Sequence, residues 1–253
     1  MNNNTLISLK NIAKVYRSQN VETYALKDID LTIHEGDYIC ISGPSGCGKS
    51  TLLSLLGLLD SPTGGQYAIK NVDTKTLDMD QQAELRNLHI GFIFQSFNLI
   101  DELSVFDNVA LPLTYREPAM SQADIQSAVK HALDEVEMGH RAQHKPNQLS
   151  GGQQQRIAIA RALAGKPSIL LVDEPTGNLD SKNGDAVMDL LDALNQKGTT
   201  ICMVTHDLRY AGRAKTQLKL LDGEIVSYSH ARQNDTLSND ALTSETTDTA
   251  EVV

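Results

Sequence analysis

A chain of 253 residues can bury one sizeable core, alone or with a smaller lobe, and it is too short for several large domains. The formal net charge of −10 provides no basic field, which disfavours a protein that depends on contacts with nucleic-acid phosphates. The three cysteines, Cys40, Cys47 and Cys202, form no CxxC pair and have no zinc-like spacing, so we expect a reducing cytosol and no cysteine metal site.

The sequence predicts no membrane-crossing segment. The N-terminal residues contain no basic region followed by an apolar core, so we expect no signal peptide. The longest apolar run, residues 51–59, is interrupted by Ser54 and Gly57 and falls far short of the ~20 residues that span a bilayer. Any work at a membrane is therefore expected to depend on a partner protein.

Two N-terminal segments, residues 6–14 and 26–33, alternate apolar and polar side chains. This period predicts an antiparallel sheet with one buried face. Tyr16 lies between the two segments, and it is either a partly buried aromatic at a strand end or a platform that stacks on adenine. The sequence alone leaves both interpretations open.

A glycine-rich segment joins residues 38–42, which predict a buried strand, to residues 50–59, which predict a helix ended by the turn cluster at residues 60–65. The segment consists of Gly43, Pro44, Ser45, Gly46, Cys47, Gly48, Lys49, Ser50 and Thr51. It fits the phosphate-loop pattern G-x-x-x-x-G-K-[ST], in which inward-pointing backbone N–H groups and a helix N-terminus bind phosphate. Lys49 is predicted to reach the outer phosphates, and the Ser50 hydroxyl is predicted to bind Mg²⁺.

The middle of the chain combines a predicted strand with predicted helices. Residues 89–94 form a short apolar run closed by Gln95, and a lone glutamine is usually a solvated or capping side chain. Residues 98–113 show no clean period. Residues 121–136 predict a helix with Ser121 as its N-cap and an apolar stripe that belongs to the core.

A second glycine-rich helix start consists of Ser150, Gly151, Gly152 and Gln153. Ser150 and Gln153 fit a capping box, so a well-capped helix is one explanation of the pattern. The two glycines cost about 1 kcal/mol each relative to alanine, which favours the close approach of a ligand as their reason. We therefore predict a second helix end that faces phosphate.

Two further apolar runs end in polar residues. Residues 168–173 predict a buried parallel strand that ends at Asp173 and Glu174, where ligands of such sheets gather. Asp173 is predicted to hold Mg²⁺ directly or through water, and Glu174 to polarise an attacking water. Residues 199–204 precede His206, and a histidine at a strand end is by itself more often structural than catalytic.

The C-terminal part divides into a hairpin and a tail. Residues 218–226 predict a hairpin around Asp222-Gly223. Residues 227–253 carry nine Ser or Thr, five acids and one Arg among few bulky apolar residues. This composition predicts a solvated, largely disordered tail after a single domain over residues 1–226.

Together these motifs resemble, in their order along the chain, those of the ATP-binding subunits of ABC transporters. The motifs are the phosphate loop at residues 43–51, the Q-loop glutamine Gln95, the signature segment at residues 149–153, the Walker B strand ending in Asp173 and Glu174, the D-loop Asn178-Leu179-Asp180 and the switch histidine His206. The resemblance covers nearly all of the chain before the tail. It implies an α/β P-loop NTPase fold with a parallel core sheet, a small antiparallel β lobe and a helical lobe inserted at about residues 96–158.

The resemblance also implies an ATPase that uses ATP and Mg²⁺, and it implies roles for particular residues. The catalytic residues would be Glu174 as general base, His206 at the γ-phosphate, and Gln95. The magnesium shell would consist of Ser50, Gln95 and Asp173. Tyr16 would stack on adenine, and all nine residues of the phosphate loop would contact the nucleotide. In a head-to-tail homodimer, the nucleotide of one subunit would also be contacted in trans by four residues of the other subunit: Ser150, Gly151, Gly152 and Gln153.

Residues 94–99 and 173–180 resemble the branch that contains the macrolide exporter MacB, the lipoprotein-release ATPase LolD and the division protein FtsE, and they are most similar to MacB-type export ATPases. This implies an ATPase that powers a separate MacB- or FtsX-like permease for export or extraction, at the cytoplasmic face of the inner membrane and with a periplasmic adaptor as a further partner. The alternative is an FtsE-like ATP-dependent switch that acts on a transmembrane partner without moving cargo. No nucleic-acid partner is expected.

Overall fold

A computed structural model describes residues 4–18 and 21–230 of the chain. The strands are β1 (Thr5–Ser18), β2 (Val21–His34), β3 (Tyr38–Ser42), β4 (Gly64–Ile69), β5 (Val72–Asp73), β6 (Ile90–Ile93), β7 (Ile169–Asp173), β8 (Thr200–Val204), β9 (Thr216–Leu221) and β10 (Glu224–His230). The α-helices are α1 (Lys49–Leu56), α2 (Met79–His89), α3 (Val105–Ala110), α4 (Gln122–Glu135), α5 (Gly151–Leu163), α6 (Ser181–Gln196) and α7 (Leu208–Ala211). Among the described residues, no helix combines the length and apolar character needed to cross a bilayer.

The central sheet has the strand order β10-β9-β3-β8-β7-β6. Strands β9, β3, β8, β7 and β6 run parallel to one another, and only β10 is antiparallel, as the hairpin partner of β9. The carboxyl ends of parallel strands lie at the same edge of a sheet. The loops that follow β3, β6, β7 and β8 are therefore gathered at one edge.

A second, smaller sheet is antiparallel throughout and has the order β2-β1-β4-β5. Its long β1–β2 pair brings Leu9 opposite Leu31 and Ile12 opposite Ile29, and all four side chains are buried. The alternation seen in the sequence therefore forms the predicted small antiparallel lobe. The predicted α/β architecture, with a parallel core sheet and a separate antiparallel sheet, is confirmed.

The central sheet separates two hydrophobic cores because successive side chains of a strand point to opposite faces. In β3, Tyr38 and Cys40 join a core formed with helices α3 to α6, whereas Ile39 and Ile41 join a core formed with α1 and the antiparallel sheet. Burial of the sheet on both faces explains why its strands read as continuous apolar runs.

Between β6 and β7 the chain forms α3, α4 and α5, which pack on one another in the first of these cores. Ser121 caps α4 as expected, since its hydroxyl accepts a hydrogen bond from the Asp124 N–H at 3.2 Å. These helices occupy the region predicted as a helical lobe over residues 96–158, and α5 continues to Leu163 and returns the chain to the sheet.

Two predicted boundaries differ from those in the structure. Helix α1 ends at Leu56 and not at residue 59, because Gly57 lies against the Phe92 ring and Leu58 adopts a positive φ of 53°. Strand β10 continues to His230, so residues 227–230, predicted to begin the tail, pair with β9 in the central sheet. The remainder of the predicted tail, residues 231–253, lies outside the described residues.

Candidate functional site

The loops after β3, β7 and β8 enclose a cleft of about 490 Å³ at the carboxyl edge of the central sheet. The register of the strands brings Val204 of β8 opposite both Ile41 of β3 and Asp173 of β7. Lining the cleft are Thr23, Tyr24, Ala25, Gly43, Ser45, Gly46, Gly48, Lys49, Ser50, Thr51, Glu174, Val204 and His206. Residues far apart in the sequence are thus brought together by the sheet.

At Gly43 and Gly48 the glycine-rich loop lies too close to its neighbours for a side chain. A Cβ on Gly43 would collide with the Leu220 carbonyl, and one on Gly48 would lie 2.5 Å from the Ala25 carbonyl oxygen. Gly48 also has a φ of +104°, a left-handed conformation that favours glycine. It is the N-cap of α1 and offers no side-chain cap, so backbone N–H groups at this helix end remain available to an anion.

The Lys49 ammonium lies over this loop. Its Nζ donates to the carbonyl oxygens of Gly43 at 2.9 Å and Pro44 at 2.8 Å. Seven of the nine predicted phosphate-loop residues line the cleft, but Pro44 and Cys47 do not. Cys47 is buried, and its carbonyl accepts a hydrogen bond from the Gly223 N–H at 3.1 Å. This contact fixes the loop to the β9–β10 turn.

Glu174 and His206 are neighbours at the cleft. The Glu174 Oε2 atom lies 2.8 Å from His206 Nδ1, and both side chains line the cleft. Glu174 has a positive φ of 45°, which is unusual for a residue with a side chain, and its N–H donates to the Val204 carbonyl at 2.9 Å. The strand end therefore holds the carboxylate toward the loop after β8.

Asp173 ends β7 and is partly buried. Burial and the neighbouring charge of Glu174 raise the pKa of Asp173, and the Lys49 ammonium partly offsets this effect. A second nearby cation would stabilise the ionised form of this carboxylate further. Within the described part of the chain, no group of three or more His, Cys, Asp or Glu could hold a metal ion. The hydroxyl of Ser50 and the carboxylate of Asp173 are nevertheless hard oxygen donors of the kind that Mg²⁺ binds together with nucleotide phosphates.

Gln95 does not line the cleft. Its Nε2 donates to Asn178 Oδ1 at 3.4 Å, and Asn178 Nδ2 donates to the Gln95 carbonyl at 3.0 Å. Gly177 makes room for this pair, since a Cβ there would lie 2.6 Å from Gln95 Nε2. The structure thus joins the Q-loop to the D-loop, and the role of Gln95 in catalysis and in a magnesium shell stays a prediction.

Of the two tyrosines near the phosphate loop, Tyr24 lines the cleft and Tyr16 does not. Tyr16, the predicted adenine platform, donates its hydroxyl to Asp60 Oδ2 at 2.9 Å and has the Lys14 ammonium over its ring at 4.9 Å. Tyr24 lines the cleft and is more exposed, at 56% against 45% for Tyr16. The sequence gives no sign of Tyr24, because only the β1–β2 register shows that it lies one residue from Thr23, the pairing partner of Tyr16.

The second glycine-rich helix start does not reach the cleft. Ser150 caps α5 with the predicted box, in which its N–H donates to Gln153 Oε1 at 3.0 Å and its hydroxyl accepts from the Gln153 N–H at 3.4 Å. A Cβ on Gly152 would lie 2.6 Å from Asn183 Oδ1, so packing against α6 already accounts for this glycine. Gly151 has only ordinary contacts near Leu179.

A comparison with protein families decides what this arrangement represents. The sequence profile described as "ABC transporter" matches residues 26–177, which is more than half of the chain. The chain belongs to the ABC transporter family. It is an ATP-binding ATPase of that family, as the phosphate loop and the Walker B carboxylates predict.

Two relatives illustrate the similarity of this ABC cassette to known proteins. An uncharacterised ABC transporter ATP-binding protein of Methanocaldococcus jannaschii, MJ1508, is 50% identical over 221 residues, which cover 87% of this chain and 98% of that protein. The macrolide export ATP-binding/permease protein MacB of Hyphomonas neptunium is 45% identical over 228 residues, which cover 90% of this chain and only 35% of MacB. The predicted relation to MacB-type ATPases is confirmed.

A solved structure agrees with these relatives. The dimeric, post-hydrolysis structure of the ATP-binding cassette MJ0796 bound to ADP and Pi matches with a TM-score of 0.81 at 46% identity and covers 90% of this chain and 99% of that one. MJ0796 is a Methanocaldococcus jannaschii protein. The match extends over nearly the whole described chain, so it includes both sheets and the helices between β6 and β7.

Proposed function

We propose that this ABC ATPase is the energy-supplying subunit of a transporter whose permease is a separate protein, and that it drives export or extraction at the cytoplasmic face of the inner membrane. The proposal begins from one observation: the capped N-terminus of α5, with Ser150, Gly151 and Gly152, lies outside the cleft of its own chain. A second copy, arranged head to tail, would place these residues on the nucleotide. The dimeric structure of the similar MJ0796 supports this arrangement.

In the proposed cycle, the nucleotide phosphates occupy the phosphate loop and are bound by its N–H groups and by Lys49. Magnesium, held by Ser50 and Asp173 with Gln95 as a predicted further member of its shell, would neutralise phosphate charge. Glu174 accepts a proton from the attacking water, and His206 orients Glu174 through their 2.8 Å contact and faces the γ-phosphate. Tyr16 stacks on adenine. Closure of the dimer by ATP and its opening after hydrolysis would supply the motion.

The partner is proposed to be a MacB- or FtsX-like permease. MacB is named as an ATP-binding/permease protein, and this chain matches only 35% of its length, which leaves room in MacB for a permease part. A groove of about 920 Å³ on this chain offers a place for such a partner. We call it the α2–α5 groove, and it is lined by parts of α2, β6 and α5 and by residues 111–117. A periplasmic adaptor would complete the export assembly.

The first experiment is to express tagged Glu174→Gln in its native host, solubilise the membranes with ATP present, and identify the copurifying proteins. Recovery of a permease with a large extracytoplasmic domain is expected and would point to the cargo. A transmembrane partner without any cargo-binding part would instead favour an ATP-dependent switch. Recovery of soluble proteins only would contradict the transport proposal and leave the ATPase assignment intact.

A further inference from the structure

The loop after β8 carries His206 without packing its side chain. The His206 side chain is 70% exposed, and its Nδ1 lies 2.8 Å from Glu174 Oε2. Both residues line the nucleotide cleft, and both also line a polar pocket of about 190 Å³ beside the D-loop and the start of α6. The imidazole therefore has open space beside it, and its position depends on the backbone that carries it.

Tyr210, four residues after His206, is buried against α6. It belongs to α7, and only 3% of it is exposed. The centre of its ring lies 5.0 Å from the guanidinium carbon of Arg209 and 5.9 Å from that of Arg213. Its hydroxyl donates to Asp185 Oδ1 of α6 at 3.0 Å. Burial and this hydrogen bond raise the pKa of Tyr210, so the hydroxyl keeps the proton that it donates.

Helix α6 makes room for the Tyr210 side chain. A Cβ on Gly184 would lie 2.8 Å from the Tyr210 hydroxyl oxygen, so a larger residue at this position would displace the hydroxyl. A glycine inside a helix lowers the stability of that helix relative to alanine, so its presence needs a reason. The close approach of Tyr210 is such a reason. The contact therefore belongs to the way in which the loop after β8 is attached to α6.

Hydrogen bonds along the backbone connect Tyr210 to His206. The Asp207 N–H donates to the hydroxyl of the buried Thr205 at 3.1 Å, which closes the chain around His206. The Asp207 carboxylate caps α7 by accepting from the Arg209 N–H at 2.9 Å, and the Asp207 carbonyl accepts from the Tyr210 N–H at 3.1 Å. Residues 205–210 are thus bonded to one another along their length, so a displacement of Tyr210 is passed to His206.

The same helix is joined to Glu174 by the segment that precedes it. Asp180, the last residue of the D-loop, caps α6 by accepting from the Asn183 N–H at 2.9 Å. Just before the D-loop, the Gly177 N–H donates to the Glu174 carbonyl at 3.1 Å. Because Glu174 and His206 are both connected to α6, this helix sets the distance between them.

We propose that Tyr210 is a positioning residue for ATP hydrolysis. Its bond to Asp185 holds the loop after β8 on α6, and this keeps His206 Nδ1 in contact with Glu174. The inference rests on the proposed function, because it uses the roles given there to Glu174 and His206. It adds a residue that acts through them and does not line the nucleotide cleft. Without this anchor, the imidazole can turn into the pocket beside it and leave the carboxylate.

The test removes the hydrogen bond from either end in the full chain, with steady-state ATPase assays as the measurement. Tyr210→Phe keeps the ring beside its two guanidinium groups and should lower kcat about fivefold, the weight of one ordinary hydrogen bond. Its KM for ATP should stay within about twofold, because the phosphate loop is untouched. Asp185→Ala should lower kcat as much, and the double variant no further. Asp185→Asn keeps an accepting oxygen and should retain nearly full turnover.

A chain that carries His206→Ala separates positioning from a general loss of stability. In that chain Tyr210→Phe should not lower the single-turnover rate of radiolabelled ATP any further, because the side chain that it positions is gone, whereas independent effects would multiply. Tyr67→Phe is the matched control, since it removes a buried hydroxyl that donates to the Leu56 carbonyl at 2.6 Å in the other core. It should lower the midpoint of thermal unfolding about as much as Tyr210→Phe and leave kcat within about twofold.

The outcomes distinguish this inference from the proposed function. Full turnover by Asp185→Ala, or a fall caused by Tyr210→Phe that persists in the His206→Ala chain, would refute the positioning role and leave the proposed function standing. Full turnover by His206→Ala itself would contradict the role given to His206, and the inference would fail with it. If Tyr210→Phe does not fold, the two Asp185 variants carry the test, because Asp185 lies at the surface.

Discussion

The two glycine-rich helix starts of this cassette look alike in the sequence and differ in the structure. Helix α1 follows Gly48, which provides no side-chain cap, and the first residues of the helix line the cleft. Helix α5 begins at Ser150 with a complete capping box, which already satisfies the N–H of Gln153, and it packs near the D-loop. An uncapped helix end can bind a phosphate within its own chain. In the proposed function, the capped helix start acts instead on the nucleotide of a second copy.

Removal of the charge at the uncapped site should weaken ATP binding more than any other change considered. Lys49→Ala should weaken ATP binding by at least about 100-fold, because charge-assisted hydrogen bonds to phosphate are among the strong ones. Isothermal titration calorimetry measures this loss, with the exposed Lys75→Ala as the control. An unchanged affinity in Lys49→Ala would contradict the phosphate-loop assignment.

Glu174→Gln tests the chemistry of the same cleft and leaves its binding groups in place. Turnover should fall by about 10²- to 10⁴-fold, the usual contribution of a general base. ATP affinity should be retained, and a dimer should accumulate in ATP, as seen by light scattering after gel filtration. Full hydrolysis by this variant would mean that the base lies elsewhere.

Ser150→Asp addresses the capped helix start, and Ser150→Asn is its control. Both residues are good N-caps, so α5 should stay intact in both variants. Only the Asp variant brings a negative charge toward the phosphates of the partner's ATP, so its turnover should fall at least tenfold below that of the Asn variant. Because the cleft of the same chain is untouched, ATP affinity of the monomer should not change.

A mixture of the Ser150→Asp and Lys49→Ala variants tests whether the ATP sites are shared between two copies. A mixed dimer contains one composite site with an intact phosphate loop from one subunit and an intact signature segment from the other. The mixture should therefore recover part of the turnover that each variant lacks alone. Failure to recover any activity would argue against sites shared between two copies.

A smaller effect is expected at Tyr16, the predicted adenine platform. Base stacking on an aromatic ring contributes about 1–3 kcal/mol, so Tyr16→Ala should raise the KM for ATP at least about fivefold with little change in kcat. Asp60→Asn should raise it less, because Asp60 fixes Tyr16 through hydrogen bonds from the Tyr16 hydroxyl at 2.9 Å and from Lys14. A larger effect of Tyr24→Ala would make Tyr24 the stacking residue.

The smallest effect should follow removal of residues 231–253. These residues lie beyond β10 and beyond every motif of the cleft, so turnover of the shortened chain should stay within about twofold of the full chain. Steady-state ATPase assays of both chains check this. A large loss would assign the C-terminal residues a part in the cycle that their composition does not suggest.

Local patterns were enough to predict the strands that carry the site. The apolar runs that contain Val204, Asp173 and the residues of β3 are long enough to predict strands directly. The polar residues at the ends of these runs indicated where the nucleotide site would form. Helix α2 was missed because none of its residues is fully buried, so it has no apolar stripe. Its available signal was a capping box between Asp78 and Gln81.

Contacts between distant segments could not be read from the sequence. The bond between Gln95 and Asn178, the packing of Gly152 on Asn183 and the hold of Arg161 on Phe97 each join residues whose pairing depends on the complete fold. Tyr24 was missed for the same reason, since only the β1–β2 register brings it to the cleft. These contacts determine which of the predicted site residues line the cleft of their own chain.

The length of β10 bears on how this protein should be handled. Residues 227–230 cover residues 216–219 of β9 with an antiparallel strand. A chain cut after Val226 would lose that cover and present part of β9 as a bare sheet edge, which is a template for pairing with other molecules. Such a chain should self-associate and precipitate on concentration, whereas one that ends at His230 should stay dispersed.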